Sequence, residues 1–128
     1  MISKNEVRIP AGISPYPEKH EITAAGLLAD YFRADVYFIV RSNHKTADFK
    51  VNGKYWELKS PTGNGKRTIQ HALQSALEQS SNIIIDARRS KMHINKMRRE
   101  LQWQLSQTKK IKRLLLIAKS GEVIELER

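Results

Sequence analysis

Thr46-Ala47-Asp48-Phe49-Lys50-Val51-Asn52-Gly53-Lys54-Tyr55-Trp56-Glu57-Leu58-Lys59-Ser60 sets two β-prone runs on either side of Asn52-Gly53. That dipeptide is a strong hairpin signal, because both residues tolerate the positive φ a two-residue turn requires. The short loop fixes the register. Val51 faces Lys54, Lys50 faces Tyr55, Phe49 faces Trp56 and Asp48 faces Glu57. Side chains alternate along a strand, so Phe49, Trp56 and Leu58 share one face, fit for a core, while Asp48, Glu57 and Lys59 share the other. Two carboxylates then oppose each other with β-carbons about 4.5–5.5 Å apart, which is destabilising unless something lies between them. A hard divalent cation such as Mg²⁺ takes carboxylate and phosphate oxygens and fits that place. A solvated hairpin face, with Lys50 and Lys59 as counter-charges, is the plainer reading. The site reading is preferred because the acids are paired by register in an apolar, aromatic strand, and a Gly-rich basic loop follows at once.

Working outward, the 128 residues suffice for one domain, 1–128, with residues 1–20 an irregular lead-in holding three of the four prolines. No cysteine is present, which excludes disulfides and thiolate chemistry. No run is long enough to span a membrane, and no signal-peptide pattern is evident. A net charge of +10 favours a polyanionic partner, nucleic acid before membrane. Residues 21–32 have helical periodicity, with Glu21, Ala25, Leu28 and Phe32 on one stripe. Glu21 there is either a dipole-compensating acid in the first turn or a third carboxylate reaching toward Asp48 and Glu57.

Residues 35–41 form an unbroken β-branched and aromatic run, expected as a strand buried on both faces. Residues 41–45 are a polar connection whose basic ends either touch phosphate or are merely solvated. Beyond the hairpin, residues 61–67 form a flexible loop ending in Lys66 and Arg67, without P-loop spacing. A helix is expected over 68–79, a buried strand over 82–87, a helix over 91–107, and strands over 114–118 and 122–126. The last helix puts Ile94, Met97, Leu101 and Leu105 on its apolar stripe and Met92, Lys96, Arg99 and Trp103 opposite. Trp103 either covers a second core or, on a basic face, stacks on an unpaired base. Residues 88–113 hold ten Lys and Arg, Arg98 among them, against one acid, Glu100, and are expected to bind phosphate.

The fold class is therefore α/β, a mixed central sheet flanked by helices in the order α-β-β-β-α-β-α-β-β. That order, with its acidic second and third strands, resembles the PD-(D/E)xK nuclease superfamily, although Ala47 stands where the superfamily pattern has proline. More narrowly, Tyr16-Pro17-Glu18-Lys19-His20-Glu21, Arg41-Ser42-Asn43-His44-Lys45-Thr46-Ala47-Asp48 and Trp56-Glu57-Leu58-Lys59-Ser60-Pro61 look like the C-terminal tRNA nuclease domain of CdiA-type contact-dependent inhibition toxins. The resemblance implies a metal-dependent endonuclease acting on tRNA in the cytoplasm, with a neutralising immunity protein as a further partner. It implies Mg²⁺ or Mn²⁺ held by Asp48, Glu57 and Glu21, directly or through water, with the Leu58 carbonyl contributing. It gives Lys59 the attacking water, and Gln70 or Gln74 either a place beside the substrate or Lys59 or simply a solvated helix face. Lys66, Arg67, Lys96, Arg98, Arg99 and Trp103 are the expected substrate contacts. A DNA endonuclease of the same fold and a non-catalytic RNA-binding domain remain alternatives. His20, His44, His71 and His93 are too dispersed for a paired acid–base mechanism.

Overall fold

A computed structural model describes residues 5–40 and 46–128. The Asn52-Gly53 turn is built as its chemistry demands, with φ of 50° and 77°. It joins β3 (Phe49–Val51) to β4 (Lys54–Lys59) in the expected register, Phe49 opposite Trp56, Lys50 opposite Tyr55 and Val51 opposite Lys54.

Around this hairpin lie β1 (Val7–Arg8), α1 (Lys19–Phe32), β2 (Val36–Phe38), α2 (Thr68–Leu77), β5 (Asn82–Asp86), α3 (Ile94–Gln107), β6 (Arg113–Ile117) and β7 (Val123–Leu126). The strands form one mixed sheet in the order β1-β2-β3-β4-β5-β6-β7. Helices α1, α2 and α3 supply the crossovers for the parallel pairs β1–β2, β4–β5 and β5–β6, and the remaining pairs are antiparallel.

Alternation along β4, β5 and β6 divides the core into two layers. Trp56, Leu58, Ile84, Leu115 and Ile117 pack under Ala24, Ala25, Leu28 and Ala29 of α1. Ile83, Ile85, Leu114 and Leu116 pack under Ile69, Leu73 and Ala76 of α2 and Met97, Leu101 and Leu105 of α3. Strand β5, covered on both sides, is apolar from Ile83 to Ile85 as such a strand must be.

The observed order is thus β-α-β-β-β-α-β-α-β-β, and three expectations are corrected. The lead-in is not irregular throughout, because Val7–Arg8 pairs with β2 as an edge strand. Asp35 makes that pairing possible by accepting the Glu6 N–H at 2.8 Å and the Arg8 Nε–H at 3.2 Å. Strand β2 is buried on one face only. Val36 and Phe38 point into the α1 layer, whereas Tyr37 is 49% exposed, since α2 and α3 pack over β5 and β6 and stop short of it. Finally, Met92 joins the core rather than a basic helical face, because α3 starts later than expected, at Ile94. The Nδ1 of His93 caps that start by accepting the Asn95 N–H. The connection at 41–45 lies outside the described residues.

Candidate active site

Asp48 stands immediately before β3, and the backbone there hands one ladder bond to a side chain. Its N–H donates to the Trp56 carbonyl at 3.1 Å, while its Oδ2 accepts the Leu58 N–H at 2.8 Å. The carboxylate is thereby locked against β4. The N–H and C=O of a strand residue point the same way, so the Leu58 carbonyl is directed toward Asp48 as well.

Glu57 lies between these two bonds and is 5% exposed. Its Oε2 is 3.2 Å from the Lys59 Nζ, and its buried Oε1 has no hydrogen-bond partner among the described residues. An orphaned carboxylate oxygen in the interior costs free energy unless something satisfies it. Burial first, then the charge of Asp48 and a hydrogen bond shared between the two carboxyl groups, push the Glu57 carboxyl up to about 8, against a downward pull from Lys59. The donor chemistry fits a divalent cation, because Asp48, Glu57 and the Leu58 carbonyl offer hard oxygens at neighbouring positions of one hairpin.

That perturbed group makes stability depend on pH. In the unfolded chain Glu57 ionises near 4.5. Between there and about 8 the folded protein keeps a proton the unfolded chain has released, so raising the pH favours unfolding. The metal-free protein is therefore expected to lose stability on the order of a few kcal/mol between about pH 5 and pH 8. Glu57→Gln should flatten that decline. Urea midpoints across this range in EDTA measure it, and parallel profiles for parent and variant would show that Glu57 does not titrate as described.

Glu21 faces the same region from α1. It lines a cavity of about 230 Å³ together with Asp48, His20, Tyr16 and Phe38. One of its oxygens accepts the Glu18 N–H at 2.8 Å and so caps the helix. Among the described residues no three His, Asp or Glu side chains are grouped closely enough to share one metal ion.

The expected substrate contacts fall in separate places. Lys66 and Arg67 are exposed in the loop after β4, which is anchored where the Lys91 N–H donates to the Thr62 carbonyl at 3.1 Å. Arg98 and Arg99 line a depression on α3 with Asn95 and Gln102, and none of the acids borders it. Lys96 is half-buried, and Trp103 is 62% exposed rather than covering a second core. Gln70 is half-buried on α2 and Gln74 is exposed.

Two of the ten cations in residues 88–113 are not available to phosphate. Arg88 binds the fully buried Asp86 through Nε and a terminal nitrogen at 2.9 and 2.7 Å, and donates to the His20 carbonyl at 2.8 Å. Arg113 binds Glu125 at 2.8 Å and lies 5.0 Å from the centre of the Trp56 ring. Sequence reasoning had missed the Asp86–Arg88 clamp, which ties the end of β5 to the first turn of α1. The signal was present: a carboxylate ending a strand buried on both faces needs a partner, and Arg88 is two residues away.

A family model described as the contact-dependent growth inhibition CdiA C-terminal domain matches residues 45–123. Among solved structures, a chain of the CdiA-CT/CdiI toxin and immunity complex from Burkholderia pseudomallei superposes with a TM-score of 0.70, over 97% of this chain and 100% of that one. The two share 18% identity, so this likeness bears on the fold. No curated protein matches the sequence.

Proposed function

The chain belongs to the contact-dependent growth inhibition CdiA C-terminal domain family, and from that premise we propose that it is a metal-dependent endoribonuclease of the PD-(D/E)xK type, acting as a toxin on tRNA in the cytoplasm. The observation that carries the reading is the buried, unpartnered Oε1 of Glu57, set beside Asp48 with Lys59 on the same strand. A purely structural hairpin has no use for that arrangement.

In this reading Asp48, Glu57 and the Leu58 carbonyl hold Mg²⁺ or Mn²⁺, and Glu21 acts from across the cavity through water. When bound, the ion supplies Lewis-acid polarisation of the scissile phosphate and of the attacking water. Lys59 orients that water and stabilises the charge that builds on the phosphoryl oxygens. In-line attack leaves a 5′-phosphate and a 3′-hydroxyl. Lys66, Arg67, Lys96, Arg98 and Arg99 neutralise flanking phosphates, and the exposed ring of Trp103 is available to an unpaired base. The toxin and immunity complex from Burkholderia pseudomallei supports a neutralising immunity protein as a second partner.

Incubation with total RNA, purified tRNA and plasmid DNA, with Mg²⁺ or with EDTA, tests the reading. Cleavage of tRNA that stops in EDTA and leaves 5′-phosphate ends is expected. Cleavage that persists in EDTA would overturn the metal assignment, and nicking of plasmid alone would make the enzyme a DNase. Tight binding without cleavage would reduce it to an RNA-binding domain.

A further inference from the structure

Tyr37, Lys50 and Tyr55 form one cross-strand row over β2, β3 and β4. The row lies on the sheet face opposite α1, and α2 and α3 do not extend over it. Tyr37 and Tyr55 are therefore 49% and 52% exposed. Lys50 sits between them, with its Nζ 5.5 Å from the centre of the Tyr55 ring. With the hairpin tip at Asn52 and Gly53, the three side chains border a shallow groove.

Glu57, paired with Ile83, lies on the same face, and Asp48 stands at the edge of the row just before β3. Lys50 is two residues from Asp48 and Tyr55 two residues from Glu57, a displacement of roughly 6.6 Å along the strands. That is close to the reach of one extended nucleotide. The row thus sits one step from the place where a phosphodiester would be cut.

We propose that Tyr37, Lys50 and Tyr55 form a stacking platform for unpaired bases next to the scissile phosphate, so that the substrate is taken as a single strand. The proposal rests on the nuclease reading and adds the state in which the polynucleotide is held. A tyrosine face accepts any base, and a base is free to stack only where it is not already in a duplex. The central cation decides among occupants. A helix or sheet laid over the row would bury the Lys50 ammonium without a partner, at a cost, whereas a phosphate backbone meets it in its charged form. The net charge of +10 points the same way.

The test measures the affinity of a short labelled single-stranded RNA, in EDTA, by fluorescence anisotropy. The parent is compared with the double variants Tyr37→Ala/Tyr55→Ala and Tyr37→Phe/Tyr55→Phe, with circular dichroism confirming that each is folded. The alanine pair is expected to weaken binding at least tenfold. The phenylalanine pair, which keeps both ring faces, should stay within about twofold of the parent, and a perfect RNA duplex should compete poorly. Unchanged affinity in the alanine pair, equal competition by duplex, or no binding by the parent would each overturn the platform. A loss confined to a bound protein partner, with RNA affinity intact, would also overturn it by assigning the face to that protein. Cleavage is scored separately. A parent that cuts tRNA while the alanine pair binds normally keeps the nuclease and loses the platform. A parent that cuts nothing, with RNA binding lost in the alanine pair, does the reverse.

Discussion

Asp48→Ala and Glu57→Ala are each expected to abolish cleavage of tRNA, by at least a thousandfold, yet to move stability in opposite directions. Glu57 contributes a buried oxygen with no partner and a carboxyl pushed up to about 8, so its removal relieves a cost in metal-free protein. Asp48 instead accepts the Leu58 N–H, and deleting it leaves a part-buried donor unsatisfied, which costs about 1–3 kcal/mol. The metal-free melting temperature should therefore rise or hold for Glu57→Ala and Glu57→Gln and fall by several degrees for Asp48→Ala. Asp48→Asn, which keeps an acceptor but not the charge, should recover most of that loss while remaining inactive. Equal destabilisation of all four variants would make both acids structural. Normal cleavage by either alanine variant would remove that residue from the chemistry altogether.

For Lys59 the expected result is a loss of at least a hundredfold in single-turnover cleavage, in Lys59→Arg as well as Lys59→Ala. The Lys59 ammonium is 3.2 Å from the Glu57 Oε2 and about a quarter exposed, so its compact head sits where water and substrate enter. A guanidinium keeps the charge but is broader, planar and unable to lose a proton near neutral pH. A shift of about 1 Å in the attacking water costs on the order of a hundredfold in rate. Single-turnover rates at saturating Mg²⁺, with metal titration of each variant, separate positioning from metal loss. Near-normal turnover by the arginine variant would reduce Lys59 to a counter-charge.

The hairpin was legible because its cause is local. Asn52-Gly53 admits few alternatives, and the faces of Asp48, Glu57 and Trp56 follow from counting in twos. Most helices and strands were legible for the same reason, with ends displaced by a few residues. What escaped depends on partners far along the chain. Val7–Arg8 becomes a strand only through Asp35, some 27 residues on from Arg8. Tyr37 looks like a core residue in a run of Val, Phe and Ile, and its exposure is decided by where α2 and α3 end. Arg88 reads as one more phosphate-binding cation until Asp86 is seen to be buried and the His20 carbonyl, 68 residues away, is seen to accept from it. Glu21 caps α1 and lines the cavity bordered by Asp48, but among the described residues it does not join Asp48 and Glu57 in one three-acid cluster.

The strand order has a kinetic consequence. Among the described residues, strands adjacent in the chain are adjacent in the sheet, and none is threaded between earlier ones. Every pairing thus joins neighbours in the chain, the longest connection being the segment 9–35 that carries α1, and loop-closure entropy grows only slowly over such lengths. Pairing between chain neighbours favours faster folding than a sheet of the same size whose strands insert between earlier ones. The sheet can be assembled by accretion from the hairpin outward, each new edge serving as template for the next strand, and a chain that has been unfolded can retrace the same short steps.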